Sequence, residues 1–352
     1  MLTYILRRLL WMIPTLIGVS LLTFGLIHLA PGDPSSFLDS GMQSGQATAG
    51  DNQLAALEKF RARYLLDQPL WKQYLHYVGP FHLGDEGHAF FGGNGEDPWN
   101  GLLSGDLGTY FSRPDRVAPE LWERLKVTVP LAGLSILLSY LIAVPLGIFS
   151  ALRRGTTLDA GATVLLFVLY AIPTFWAGLM LQLLCGKVGF DFLPVIGLHG
   201  RDAAELSRGA YIWDLLKHLI LPVICYSYAS FAYLSRQMRV GMLESIEQDY
   251  IRTARAKGLS ERAVVLRHAL RNSLLPILTL LASILPVLIG GSIIVEVVFD
   301  IPGMGKLAYE ALTLREYDVI MATTLFSALM TVFGILLSDL AYALVDPRIR
   351  YA

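Results

Sequence analysis

The chain has 352 residues, of which 54% are hydrophobic and only 16% charged, and its formal net charge is −1. A soluble domain carries roughly a quarter charged residues, so this balance, with a mean hydropathy of +0.52, points to a membrane protein. The near-zero net charge says nothing about nucleic acid, and no basic, aromatic-interleaved tract suggests it. Two cysteines without CxxC spacing, Cys185 and Cys225, argue against a disulfide framework or a zinc site.

A helix that crosses a bilayer needs about 20 mostly apolar residues. Residues 9–30 make the first such run. Arg7-Arg8 ahead of it imitates a secretory signal, but the run is long for an h-region and its end, HLAPGDP, is a poor cleavage site. An uncleaved span is expected, and residues 1–30 are taken as the N-terminal region with this first helix. Pro31-Gly32-Asp33-Pro34 stops it. Residues 31–126 then read as an extended outer loop region. Residues 40–51 are rich in Gly, Ser, Gln and Ala. Residues 54–64 and 69–78 have helical periodicity, with Leu57, Phe60 and Tyr64, then Leu70, Tyr74 and Tyr77, on one face. Residues 79–105 form a glycine-rich irregular loop, and 119–126 a short amphipathic lead-in to the second span.

Residues 127–352 read as a core of five membrane helices, at 127–152, 162–185, 219–234, 274–298 and 319–344, which makes six spans with the first. Tyr226, Ser227, Tyr228 and Ser230 make the fourth the most dilute. Pro173, Pro222 and Pro286 predict kinks. In the fifth, Gly290-Gly291-Ser292 suits either close helix approach or a slim pore-lining helix. Glu296, near its outer end, either lines a translocation path or gate or is an interfacial carboxylate. Asp339 in the last span is expected to face a polar partner, most simply at a subunit interface. His28 and His218 stand at span ends, where they carry no metal-site signal. Residues 300–318 read as a short re-entrant or surface helix after a Pro302-Gly303 turn, either meeting a soluble partner or covering a pore mouth.

Arginines set the orientation. Arg7-Arg8, Arg153-Arg154, Arg348 and Arg350 share one side with the loop at 244–276, while residues 300–318 on the other side lean acidic. The positive-inside rule then places both termini in the cytoplasm. The loop at 244–276 is itself an anomaly, because its charges would be costly in lipid or in a core. A helix is expected over 245–258, closed by Gly258 in a left-handed C-cap. Ser260 is then expected to cap a second helix over 261–272, with Pro276 at the return to the bilayer. A docking element on the membrane face is expected; the plain alternatives are a solvated charged helix or an anionic-lipid contact.

The stretch DYIRTARAKGLSERAVVLRHALRNSLLPIL resembles the EAA loop of ATP-binding cassette (ABC) importer permeases. The opening MLTYILRRLLWMIPTLIGVSLLTFGLIHLAPGDP, then LDQPLWKQYLHYV, GDLGTYFSRPDRV, VVFDIPGMGKLAYEAL, REYDVIMA and DLAYALVDPRIRYA, are similar to the first permease type of the peptide/nickel (dipeptide/oligopeptide) family. The resemblance covers nearly the whole chain. It implies an all-α polytopic membrane protein with six transmembrane helices, the type I ABC importer permease fold and cytoplasmic termini, multi-pass in a bacterial cytoplasmic (inner) membrane. Such a subunit forms half of a translocation path for peptides or a related solute and has no catalytic activity. The implied partners are a second homologous permease, two ABC ATPase subunits, a periplasmic or lipid-anchored solute-binding protein and membrane lipid, with no nucleic acid. This chain is expected to bind no cofactor, ATP and Mg belonging to the partner ATPases.

The resemblance carries over to particular residues. Asp249–Gly258 becomes the coupling helix: Tyr250 and Ile251 are expected to pack into an ATPase groove, with Arg252, Arg255 and Lys257 at its polar rim. Asp249, Thr253, Ala254 and Ala256 complete the helix, and Gly258 ends it. Gly290, Gly291 and Glu296 are the candidates for the translocation path. The chain departs from the family between Tyr77 and Gly105, where VGPFHLGDEGHAFFGGNGEDPWNGLLSG is inserted. No GxxxxGK[ST] motif occurs, so ATP hydrolysis is expected on other subunits. An intramembrane protease is disfavoured by the absence of HExxH and GxGD, and a self-contained carrier or channel by the absence of repeat halves. Peptides are the default substrate; nickel, opines or a sugar stay open.

Overall fold

In hydrocarbon every backbone N–H and C=O must be paired within its own segment, so the long apolar runs of this chain become helices. The computed structural model describes residues 2–29, 67–79, 102–110, 113, 115–186, 188–282 and 291–345. Its helices are α1 (Leu2–Leu29), α2 (Leu70–Val78), α3 (Val117–Leu152), α4 (Thr157–Ala171), α5 (Thr174–Cys185) and α6 (Arg208–Ile246). They continue with α7 (Asp249–Ala256), α8 (Leu270–Ala282), α9 (Ile293–Val298), α10 (Met304–Leu314) and α11 (Tyr317–Val345). Among the described residues four helical stretches are long and apolar enough to cross a membrane, at Arg7–Leu29, Val117–Leu152, Arg208–Ile246 and Tyr317–Leu336. The pair α4–α5 makes a fifth if it is one bent span. The expected fifth span runs through residues 283–290, and the expected helix at 54–64, Pro286, Gly290 and most of the 78–104 insertion likewise lie outside the described residues.

Two expected boundaries are corrected, and the dilute fourth span extends as its composition allows. Residues 119–126 are not a separate lead-in but the first turns of α3, which starts at Val117 and takes Pro119 where a missing N–H costs nothing. The fourth span extends at both ends into a 39-residue helix. The stretch from Gly291 to Val298 does not continue a fifth helix: Gly291 has φ +69°, and Ser292 is extended and starts α9 afresh by accepting from the Val295 N–H. The helix at 69–78 is found as α2. The kink at Pro173 is a full break, with α4 and α5 bent by 95°. Pro173 has no N–H to give and pushes Ile172 to extended backbone (φ −74°, ψ 122°).

The chain falls into two units. The first holds Arg124–Leu307 and Met330–Ala352. One part of its core gathers Leu131, Cys225, Tyr228, Val295, Phe299 and Ile301; a second gathers Met238, Met242, Ile251, Val264, Ala269 and Ile277. Both cysteines are buried and free. The polar residues that dilute the fourth span stitch helices together. The Tyr228 hydroxyl donates to the Ile172 carbonyl at 2.7 Å, supplying a partner where the α4–α5 break removes one. Ser139 donates to the Ser227 carbonyl, and Gln182 of α5 donates to the carbonyls of Val195 and Val298. Tyr228→Phe leaves a carbonyl unpaired in an apolar setting and is expected to cost about 1–2 kcal/mol, read as a lower unfolding temperature in detergent. An unchanged melting curve would remove this hydrogen bond from the account.

The second unit holds Leu2–Glu123 and Ala308–Leu329. Here α1 and α2 meet through Ser20 and Tyr74, whose hydroxyls lie 2.7 Å apart, and through His28 and Gln73 at 3.0 Å. Tyr74 also sets its ring edge against Phe24. A short antiparallel pairing of Thr109 with Arg116 is held to the start of α11 by the Thr109 N–H, which donates to Asp318.

Candidate functional site

The charged loop folds as a short helix slung between two long ones. The turn at Glu247-Gln248 ends α6 and starts α7, so Ser245 and Ile246 belong to α6 rather than to the expected helix over 245–258. Gln248 caps α7 through its backbone carbonyl, which accepts from Ile251 and Arg252, and Asp249 brings a negative charge to the first turn, where the helix dipole favours one. At the other end Gly258 takes φ +77°, the left-handed conformation expected of it. Gly258 N–H donates to the Arg255 carbonyl and Leu259 N–H to that of Ala254, the paired bonds of a Schellman motif.

Helical spacing divides α7 into two faces. Ile251 and Ala254, three apart, are 0% and 5% exposed and pack with Met238 and Met242 of α6 and with Val264, Val265 and Ala269. The expectation that Ile251 enters a partner's groove is therefore corrected: it lies in this chain's own core, because its helical phase points it there. Tyr250 is 39% exposed, and the side chains of Asp249, Arg252 and Arg255 stand in solvent. Thr253, Ala256 and Lys257 share this outer, polar surface. Ile251→Val, which removes one buried methylene, is expected to cost about 1 kcal/mol in thermal unfolding, whereas a loss below the error of measurement would mean a looser anchor.

Arg255 reaches across the Gly258 turn to Glu261 with bonds of 2.6 and 3.2 Å. Its guanidinium holds the Glu261 carboxyl below the usual carboxylate range. The pair is exposed, so it contributes under about 1 kcal/mol, present above the ordinary carboxylate pKa and lost as pH falls through the lowered one. Ser260 occupies the N-cap position of the following turn, but its hydroxyl makes no capping bond, contrary to expectation. Nor does the second helix stop at Asn272: a turn at Glu261–Ala263 widens into a π-helical stretch, Val264–Ala269, and runs on as α8 past Pro276. Wide turns of this kind recur at functional sites.

The translocation-path candidates fare differently. Glu296 is 0% exposed, so it lines no path in this structure. Its carboxylate accepts from the Thr128 hydroxyl at 3.0 Å and the Lys306 N–H at 2.9 Å, while Thr128 in turn accepts from the Met304 N–H at 2.8 Å. Bare backbone wraps it closely: a Cβ on Gly303 would stand 2.4 Å from the Glu296 carboxyl carbon, and one on Gly291 2.5 Å from its oxygen. Glu296 and Gly291 thus form a structural knot joining α3, α9 and the start of α10, which satisfies a carboxylate that would otherwise be costly to bury. Asp339 lies on α11, with its side chain outside the described residues.

One polar constellation escapes sequence reasoning. Asp159, in the first turn of α4 and 5% exposed, accepts from Nη2 and Nε of the Arg239 guanidinium at 2.9 and 3.2 Å, from Ser150 and from the Gly155 N–H. Arg239 reads as one more basic residue of the positive side until folding brings Asp159, 80 positions away, against it. Among the described residues no group of three or more His, Cys, Asp or Glu could hold a metal ion.

Comparison with known proteins matches this architecture over its full length. Residues 143–351 match the family model described as binding-protein-dependent transport system inner membrane component, and residues 1–132 match the N-terminal model of the same systems. The chain is 38% identical over 352 residues to the oligopeptide transport system permease protein AppB of Bacillus subtilis, covering 100% of both chains. It is 34% identical to the dipeptide transport system permease protein DppB of Escherichia coli, covering 100% of this chain and 99% of that one. Among solved structures it is similar to a chain of the inward-facing MetNI methionine ABC transporter, at TM-score 0.45 and 16% identity, covering 65% of this chain and 96% of that one. That last likeness is too distant to carry an argument. The two family models together with full-length relatives above 30% identity decide the matter: the chain belongs to the inner membrane components of binding-protein-dependent transport systems, as the all-α permease subunit, not an enzyme, of an ABC importer.

Proposed function

We propose that this permease forms half of a translocation path for peptides or a closely related solute, in the cytoplasmic (inner) membrane of a bacterium. It crosses that membrane six times with both termini in the cytoplasm. It pairs with a second homologous permease, receives solute from a periplasmic or lipid-anchored binding protein, and is driven by two ATPase subunits that carry ATP and Mg. Full-length relatives named for oligopeptide and dipeptide transport support the substrate class.

The observation that carries the coupling role is the two-faced build of α7. Its outer face presents Asp249, Tyr250, Arg252 and Arg255, with Lys257 after its last turn, to an ATPase cleft, while Ile251 and Ala254 root it in the core between α6 and the π-helical stretch. A push on α7 is thus delivered through Ile251 to Met238 and Met242 on one long helix and to Val264 and Ala269 on the next. Packed cores respond to such a push by rearranging as units rather than deforming smoothly. The test is Tyr250→Glu combined with Arg252→Glu in the assembled transporter. One introduced and one reversed charge at an interface hot spot predict a loss of ATPase association of about 30-fold or more, with membrane insertion intact. Unaltered uptake and full recovery of ATPase with the variant would refute the assigned face.

A further inference from the structure

A cleft of about 510 Å³ opens between α4 and α6, within the range of about 300–1,000 Å³ usual for ligand pockets. From α4 it takes Thr163, Leu166, Phe167 and Tyr170, the i, i+3, i+4, i+7 stripe of a single helical face. From α6 it takes Ala232, Tyr233, Ser235, Arg236 and Arg239, and Ser150 of α3 completes the lining. The two helices run so that Asp159 at the start of α4 meets Arg239, well along α6. The cleft is consequently graded from end to end. Arg236 and Arg239 stand at the end nearest Arg153-Arg154, and Phe167 and Tyr170 lie farther along, toward the α4–α5 break.

The two arginines are not equivalent. Asp159 neutralises Arg239. Arg236 is exposed, and no carboxylate bridges it among the described residues. Arg236 stands just past the apolar stretch 219–234, at the depth where lipid headgroups begin, so an anionic headgroup can reach its guanidinium. An anion whose tail is apolar would satisfy both ends of this cleft at once, and its polarity would match that of a lipid leaflet. Basic clefts between membrane helices on the arginine-rich side suit anionic headgroups for this reason.

We infer that the α4–α6 cleft binds one anionic phospholipid from the leaflet on the Arg153-Arg154 side, its phosphate on Arg236 and an acyl chain along Leu166, Phe167 and Tyr170. Bound there, the lipid would brace α4 against α6, the helix that leads directly into α7. The site is independent of which solute is carried.

The experiment uses the full chain in nanodiscs, photolabelled with phosphatidylglycerol or phosphatidylcholine bearing a diazirine in the tail, followed by peptide mapping. Phosphatidylglycerol is expected to label residues 166–170 and the neighbourhood of Tyr233, and phosphatidylcholine only weakly. Arg236→Ala is expected to cut phosphatidylglycerol labelling about fivefold, the effect of one basic residue on anionic lipid, and Arg236→Lys to restore most of it. Because Arg236 is exposed and Asp159 keeps Arg239, the variant should unfold at the parent temperature. Equal labelling by both lipids, or labelling indifferent to Arg236→Ala, would overturn the proposal. So would a photocrosslinker placed at Leu166 that captures the second permease of the assembled transporter in place of lipid, since that makes the occupant a protein helix.

Discussion

Glu296→Ala is expected to destabilise this permease by about 4 kcal/mol, seen as a large fall in unfolding temperature in detergent and poor recovery from membranes. The change strands the Thr128 hydroxyl and the Lys306 N–H, each a buried donor whose partner is gone. It also empties a site wrapped by Gly291 and Gly303, where bare backbone has closed in and cannot collapse further. Two stranded donors at about 1–2 kcal/mol each, with a residual cavity, account for the total. Glu296→Gln keeps an acceptor toward one donor and should lose less than half as much. If alanine and glutamine variants unfold together at the parent temperature, the knot is not what joins α3 to α9.

Gly258→Val is expected to abolish coupled transport while sparing insertion. At φ +77° a β-branched side chain meets its own backbone, at a cost of about 1–2 kcal/mol. The space around Gly258 is open, so the penalty comes from conformation rather than from collision. The chain can relieve it by unwinding the Schellman turn, which frees the carbonyls of Ala254 and Arg255 and re-aims α7. Solute-stimulated ATPase activity in proteoliposomes should fall at least tenfold, the response to about 1.4 kcal/mol lost from the productive arrangement. Gly258→Asn, a residue that tolerates the left-handed region, should retain much of it. Equal activity of the Val and Asn variants would mean that the turn does not orient α7.

These two sites differ in how legible they were. The Gly258 turn could be read directly, because a glycine after an amphipathic segment has a local cause and a local consequence. The same holds for the helix at 69–78 and for a kink at Pro173, where a missing N–H acts on its own neighbours, although that it is a full break while Pro222 stays inside one helix follows only from folding. Glu296 could not be read: a carboxylate near the end of an apolar run looks the same whether it faces a pore, lipid or a ring of backbone donors. Its partners, Thr128 and Lys306, come from segments that only folding unites. The burial of Ile251 is hidden from the sequence for a related reason. Adjacent to Tyr250, it shares its motif but not its face, and a shift of one residue in a helix turns a side chain by about 100°.

Sequence alone determined the membrane class, the extra charge of one loop, the helix–glycine–helix form of that loop and the family, since each rests on composition, local periodicity or ordered motifs. Tertiary structure decided which face of α7 is anchored and which is free, that Glu296 is a knot rather than a gate, that Asp159 neutralises Arg239, and that Arg236 is left to look onto an apolar cleft. Those outcomes depend on contacts between residues up to 176 positions apart. Burial and charge pairing belong to such contacts and not to any stretch of chain taken by itself.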